Sequence, residues 1–298
     1  MSVPEGVPNG IWYSAFDRVR RRFYFSLAAR SGIFTVSFDS VKIYSFFNET
    51  VELEYFVHGD DKKSFYGLAI DEKRRILYCA DPIRGIIGVW SLEHPNVRKF
   101  MRAPQPIHKF QPAFISLSPL KFPSDGVEER LLAISDWNND QIYIYKQRNV
   151  INSSRLLNVS HVYLGNIATA LRPRPRSRPD ARHLRSNHSM ISIQAQPLAV
   201  RETKLGLVDG PLGTMFDAAH NLIVADYLNH RVQIFDGGRD DLVADEPLFR
   251  PSWASADLNT WVLTVATLID NSGWGFSRAR TEPVVMAGLG TGEVACFK

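Results

Sequence analysis

Cysteine is nearly absent, with only Cys79 and Cys296 in a chain of 298 residues. That excludes a disulfide-stapled scaffold and any site built from four thiolate ligands. Long apolar runs are also missing. No window approaches the roughly 20 consecutive apolar residues of a membrane-crossing helix, and Met1–Gly10 lacks the apolar stretch of a secretory signal. As written, the chain reads as a cytoplasmic protein without a membrane segment. It reads as secreted if a signal has been removed, a possibility kept open by Asn-x-Ser/Thr sequons at Asn48, Asn152, Asn158 and Asn187. No long segment repeats at 3.6 residues, which argues against a helical fold. There is no Gly-x-Ser-x-Gly elbow, phosphate-cradling glycine loop or Cys-x-x-Cys pair, so nucleophilic catalysis has no candidate.

What is present is a globular composition, 45% hydrophobic and 22% charged, with enough apolar residues for a sizeable core. The net charge of +4 is local. Between Leu171 and Ser189 six arginines (Arg172, Arg174, Arg176, Arg178, Arg182, Arg185) face one acid, Asp180, and the rest of the chain is close to neutral. Alternating proline with like charge removes backbone donors and makes the segment repel itself, so 171–189 reads as an exposed, mobile insertion in a single domain spanning 1–298.

Several segments share one outline: an apolar strand, a polar turn, a second strand ending in Asp, a short turn, and a third strand ending in an aromatic. The clearest are Gly213–Asp236, Gly67–Trp90 and Leu131–Tyr145, with weaker copies at Phe23–Phe38 and Val284–Phe297. The closing aromatics Phe38, Trp90, Tyr145, Phe235 and Phe297 are 52, 55, 90 and 62 residues apart. Taking the interval of 90 as two periods adds a degenerate copy and gives six units. The expectation is an all-β, six-bladed β-propeller of four-stranded antiparallel blades. Its last blade is incomplete unless the N-terminal residues supply an outer strand, which their prolines disfavour.

Asn221-Leu-Ile-Val-Ala-Asp-Tyr-Leu-Asn-His-Arg-Val-Gln-Ile-Phe-Asp236 resembles an NHL repeat, with Asn229, His230 and Arg231 on its most specific stretch. Gly67–Trp90 is similar to the YWTD repeats of the low-density-lipoprotein-receptor type, with Leu77-Tyr78-Cys79-Ala80-Asp81 at their signature. The resemblance implies a six-bladed propeller. It leaves function open, because such propellers include RNA binders, scaffolds, receptor modules, lactonases and a zinc-dependent lyase.

In such a blade, the turn after the second strand and the loop leading into the next blade open on one funnel face. The first set supplies Asp81, Arg84, Asp136, Trp137, Asn138, Asp226, Tyr227 and Asn229; the second supplies His58, Asp60, Asp61, His108 and Asp209. Each strand-ending Asp has an ordinary use, accepting backbone N–H bonds from its own turn. A lactonase-like metal site asks for a Glu, an Asn and an Asp on inner strands, and Glu5 and Asn9 with Asp136 or Asp226 could be assembled into such a set, although their context does not match that family's motifs. A zinc site needs three histidines in register, and His58 and His108 have no third. The reading is therefore a noncatalytic, monomeric binding propeller without cofactor that recognises a protein, glycan or nucleic-acid partner through its funnel face. The alternative is a metal-dependent hydrolase of the gluconolactonase or strictosidine-synthase-like type, with calcium or zinc on the axis.

A second basic cluster falls in the first turns of blades one and two: Arg18, Arg20, Arg21, Arg22, Lys73, Arg74 and Arg75. Seven charges on one rim could hold phosphates of RNA or an acidic peptide, although Asp17, Asp71 and Glu72 dilute them. Deleting Leu171–Ser189 is expected to leave the melting temperature nearly unchanged; a fall as large as that of a core substitution, read by thermal denaturation, would show that the segment packs.

Overall fold

The computed structural model describes residues 11–27, 30–38, 53–58, 65–104, 110–121, 128–149, 159–168, 204–237, 249–268 and 284–297. The segment 171–189, Glu5, Asn9, Asp60, Asp61, His108 and the four sequon asparagines lie outside them. Backbone contacts divide the chain into two compact units, one holding the described residues up to Ala113 and the other those from Phe114 onward.

The first unit contains two antiparallel sheets. One is β1 (Ile11–Asp17), β2 (Arg22–Leu27), β3 (Arg30–Ser37) and β4 (Glu54–His58); the other is β5 (Leu68–Asp71), β6 (Ile76–Asp81), β7 (Ile86–Ser91) and β8 (Arg98–Arg102). The second unit holds β10 (Glu129–Asp136), β11 (Gln141–Asn149) and β12 (Val159–Ala168), which form a sheet with β9 (Pro112–Leu117). It also holds β13 (Pro211–Phe216), β14 (Leu222–Asp226), β15 (Arg231–Asp236) and β16 (Arg250–Ala254), then β17 (Val262–Leu268), β18 (Val284–Leu289) and β19 (Val294–Phe297). Strands pair in chain order within every sheet.

Among the described residues there are five sheets, not the six expected. The five copies recognised by sequence each became one sheet, and the interpolated sixth has no sheet of its own among the described residues. The interval from Tyr145 to Phe235 is long because β11 continues to Asn149, β12 runs for ten residues with a register shift, and an insertion precedes β13. Length added to one connection had been read as a period. Among the described residues the last sheet has three strands, and β1 is the first strand of the first sheet.

Burial explains the strand chemistry. All six residues of β6 are buried, since a middle strand has a sheet face packed on each side, whereas β8 alternates exposed and covered side chains at its sheet edge. The core lies between sheet faces. In the first unit Tyr24, Ile33 and Val57 meet Phe65, Leu77, Cys79 and Trp90. In the second, Ala133, Ile142 and Ile144 pack on Phe216, Leu222, Val224 and Phe235, while Ile223, Ala225 and Val232 on the reverse face pack on Val262, Val265, Val285 and Ala287. Both cysteines are free, and burial pushes the Cys79 thiol well above its usual range.

One turn recurs. Asp17, Asp71, Asp81, Asp136 and Asp226 each end a strand and are at most 2% exposed. Four residues later Arg21, Arg75, Gly85, Asp140 and His230 take φ between 52° and 63°. The left-handed residue returns the chain antiparallel, and the carboxylate holds the turn amides: Asp17 Oδ1 accepts from the N–H of Val19 at 3.0 Å and of Arg20 at 3.3 Å. Asp71 and Asp81 accept likewise from the amides of Arg74 and Arg84, at 3.2 and 3.0 Å.

Backbones approach closely where β13 lies beside β17, and a Cβ at Gly213 would sit 2.6 Å from Thr264 Cα. Gly213→Val is expected to cost about 2 kcal/mol or more by forcing these strands apart, measured by chemical denaturation; an unchanged midpoint would show that the gap can open freely.

Candidate functional site

The second unit gathers seven of the thirteen candidate residues at the loop ends of two neighbouring sheets. Asp136 closes β10 and accepts from the amides of Asn138 at 3.1 Å and Asn139 at 3.2 Å, while its other oxygen takes the Asn139 side-chain amide at 2.6 Å. This turn presents Trp137 and Asn138, both half-buried. The next turn residue, Asp140, reaches the segment that leads into β13 and accepts from the Gly210 N–H at 2.7 Å.

Asp226 is the most heavily bonded of the set. Oδ1 accepts from the Asp209 N–H at 2.7 Å. Oδ2 takes Asn229 Nδ2 at 2.9 Å, Arg231 Nε at 2.9 Å and Gln233 Nε2 at 2.8 Å. The NHL-like trio is explained by this hub. Asn229 fills the carboxylate from within the 3-10 turn Tyr227–Asn229, His230 takes the left-handed position, and Arg231 ties the carboxylate to the carbonyls of Lys204 and Leu207 at 3.1 and 2.8 Å. Arg231 thus anchors the segment entering its own sheet.

This bonding sets where the aromatics stand. Gly210 has φ +60°, and a Cβ there would lie 2.9 Å from the Trp137 indole and 3.1 Å from Leu228 Cδ1. Trp137 is therefore seated over bare backbone. Beside Leu228, Tyr227 stacks on Trp261 with ring centroids 5.8 Å apart and planes 25° from parallel. The result is a ledge of three half-buried aromatic side chains, Trp137, Tyr227 and Trp261, carried on the hub formed by Asp136, Asp140, Asp209 and Asp226. Sequence reading missed Trp261 because β17 had not been recognised as the first strand of a unit. The available signal was Asp257-Leu-Asn-Thr-Trp261, whose Asn259 takes φ 55° while Asp257 accepts its N–H at 2.8 Å ahead of an apolar run.

In the first unit, Asp81 caps its turn and lies 4.0 Å from the Arg84 guanidinium. His58 is not on a loop: it ends β4, the edge strand, where it is exposed and stacked on Tyr55 at 4.4 Å. The basic cluster forms as expected in the turns 18–21 and 72–75, but acids fill it. Arg18 pairs with Glu72 at 2.8 Å, Arg22 with Glu54 at 3.0 Å, Arg74 with Asp71 at 3.0 Å, and Arg75 with both Asp17 and Glu93 at 2.7 Å. Arg20 also pairs with Glu93, and the Arg21 guanidinium lies over Phe38 at 5.0 Å. Burial alone would raise the Asp17 carboxyl, but bonds from Arg75, Arg20 and Val19 hold it below the usual range. This rim is a lattice of ion pairs rather than a free cationic surface.

Of the expected metal ligands, Glu5 and Asn9 lie outside the described residues. Both oxygens of Asp136 and both of Asp226 are committed to protein donors. Among the described residues no three His, Cys, Asp or Glu side chains converge as a metal site requires.

No family model matches the sequence, and no curated protein matches it. Solved structures do. The β-propeller domain of Myceliophteria thermophila Cps50 (Swd1) is 10% identical, with 99% of this chain and 86% of that one covered and a TM-score of 0.50. A chain of the mitotic checkpoint complex is 10% identical over 95% of this chain and 59% of its own, also at 0.50. One from a nidogen/laminin complex is 17% identical over 95% and 73%, at 0.47. At such identities the likeness concerns the fold alone. The fold is an all-β propeller whose blades are the five antiparallel sheets of the described residues.

Burial pushes Asp226 up to about 6, its four donors offsetting only part of the desolvation. A carboxyl raised in the folded state contributes most below its unfolded value near 4 and loses that contribution as pH rises through 6. Denaturation midpoints of the wild type should therefore fall between pH 4 and 6 by the equivalent of roughly 3 kcal/mol more than those of Asp226→Asn; parallel pH profiles for the two would contradict this.

Proposed function

We propose that the chain is a noncatalytic binding propeller that recognises a protein partner through the loop ends of its second unit. The observation that carries this reading is the aromatic ledge of Trp137, Tyr227 and Trp261. The polar groups beside it are occupied internally, so the surface offered to a partner is chiefly aromatic. Large rings that are already half-immobilised gain contact area while losing little rotamer freedom, which is why Trp and Tyr dominate the energetics of protein interfaces. Fixing them on buried hydrogen bonds lowers the ordering cost further.

A protein partner is favoured over nucleic acid because the arginine rim of the first unit is matched by Asp17, Glu54, Asp71, Glu72 and Glu93. Phosphate binding there would have to break those pairs. Partner capture followed by titration tests the proposal. Trp137→Ala and Trp261→Ala should each weaken binding at least tenfold with little change in melting temperature, while Arg18→Ala should leave it unaffected. Undiminished binding by both tryptophan variants would overturn it, as would a stoichiometric divalent cation whose thermal stabilisation disappears in Asp136→Ala.

A further inference from the structure

Both tryptophans of the ledge are seated on glycine. Trp137 lies over Gly210, and Trp261 lies against Gly290, where a Cβ would stand 3.1 Å from its Cε3. Gly290 opens the turn from β18 to β19, and its N–H donates to the Trp261 carbonyl at 2.8 Å, which fixes this turn against the ledge. The segment leading to Trp261 is tied to the Tyr227 turn as well, since the Leu258 N–H donates to the His230 carbonyl at 2.9 Å.

Each of these connections brings an exposed acid. Glu293 closes the turn that Gly290 opens; it accepts from the Thr291 hydroxyl at 3.0 Å and has no ion pair among the described residues. Asp257 stands on the approach to Trp261 and accepts from the Asn259 N–H at 2.8 Å. With Asp136, Asp140, Asp209 and Asp226, the described loop ends of the second unit hold six acids against two bases, Lys204 and Arg231. Arg231 offsets Asp226. The amides that bond Asp136 and Asp140 are neutral, and a carboxylate accepting from an amide keeps its charge.

An aromatic surface inside a negative field selects a cation. A guanidinium lies flat on Trp and Tyr rings, stays charged there and is weakly hydrated, so it gains from the rings and from the carboxylates together. A phosphate or an acidic peptide meets repulsion at the same place.

We propose that the ledge takes a basic segment of its protein partner, with an arginine side chain laid on the rings of Tyr227 and Trp261 and with Glu293 and Asp257 as its counter-charges. This rests on the reading of the ledge as a partner site and adds the chemistry that the partner presents there.

Titration of the full chain with a capped Gly-Arg-Gly-Arg-Gly peptide, followed by tryptophan fluorescence, tests it against citrulline and glutamate versions. Citrulline keeps the planar shape and loses the charge. The arginine peptide should bind at least tenfold more tightly than either control, and a tenfold rise in salt should weaken it at least threefold by screening. Glu293→Gln with Asp257→Asn keeps an acceptor at both positions, and this pair should weaken binding at least threefold without lowering the melting temperature. Should the double variant fail to fold, the citrulline and salt arms decide. Equal affinity for citrulline or glutamate, indifference to salt, or no response at millimolar peptide would each overturn the proposal. It is equally overturned if the arginine peptide binds only after Leu171–Ser189 is deleted, since the chain's own arginines then occupy the ledge. Citrulline bound as well as arginine, with partner capture still lost in Trp137→Ala and Trp261→Ala, would leave the ledge a partner site without a preference for charge.

Discussion

A carboxylate buried at the end of a strand is the constraint on which the structure depends. At Asp17, Asp71, Asp81 and Asp136 the carboxylate accepts the amides of the turn through which the sheet turns back, and at Asp226 it takes the Asp209 amide and three side chains instead. The buried side chain supplies an acceptor from a fixed position. An orphaned buried N–H costs about 1–3 kcal/mol. That is large against the whole stability of a domain, and it explains why the same residue recurs at the same place while the turns between vary in sequence. The left-handed residue four positions on completes the device.

The carboxylates do more than close hairpins. Asp17 receives Arg75 from the next sheet of the first unit, joining two turns, and Asp226 receives the backbone of the segment that precedes its own sheet. Each such acid is thereby withdrawn from solvent and from ligands. What remains on the loop ends of the second unit is aromatic, held by glycine at Gly210 and by stacking at Tyr227 and Trp261. On the proposed reading, recognition and folding use different residues, although they are adjacent in sequence.

This division decided how much could be read in advance. Strand positions were legible because the period-two pattern and the Asp-ended strands are local, and five recognised copies correspond to five sheets. The blade number was not, since the long interval from Tyr145 to Phe235 was counted as two periods while five sheets stand among the described residues. Seven of thirteen candidate residues do converge, yet most serve as the scaffold of the site. Sequence places an Asp in a turn but not its donors, and Arg231, Gln233 and the Asp209 amide reach Asp226 from outside its turn. Trp261 was invisible because nothing local marks it as the neighbour of Tyr227. The arginine rim misled for the opposite reason: the charges were counted in two turns, while Glu54 and Glu93, two of the acids that pair them, stand elsewhere in the chain.

The most direct measurement is the unfolding free energy of Asp136→Ala against wild type, taken in chelator and again in excess Ca²⁺. If the strand-end carboxylates are structural, the variant loses about 2 kcal/mol or more equally in both. A variant as stable as wild type in chelator, and deficient only when the cation is present, would contradict the account and make Asp136 a ligand.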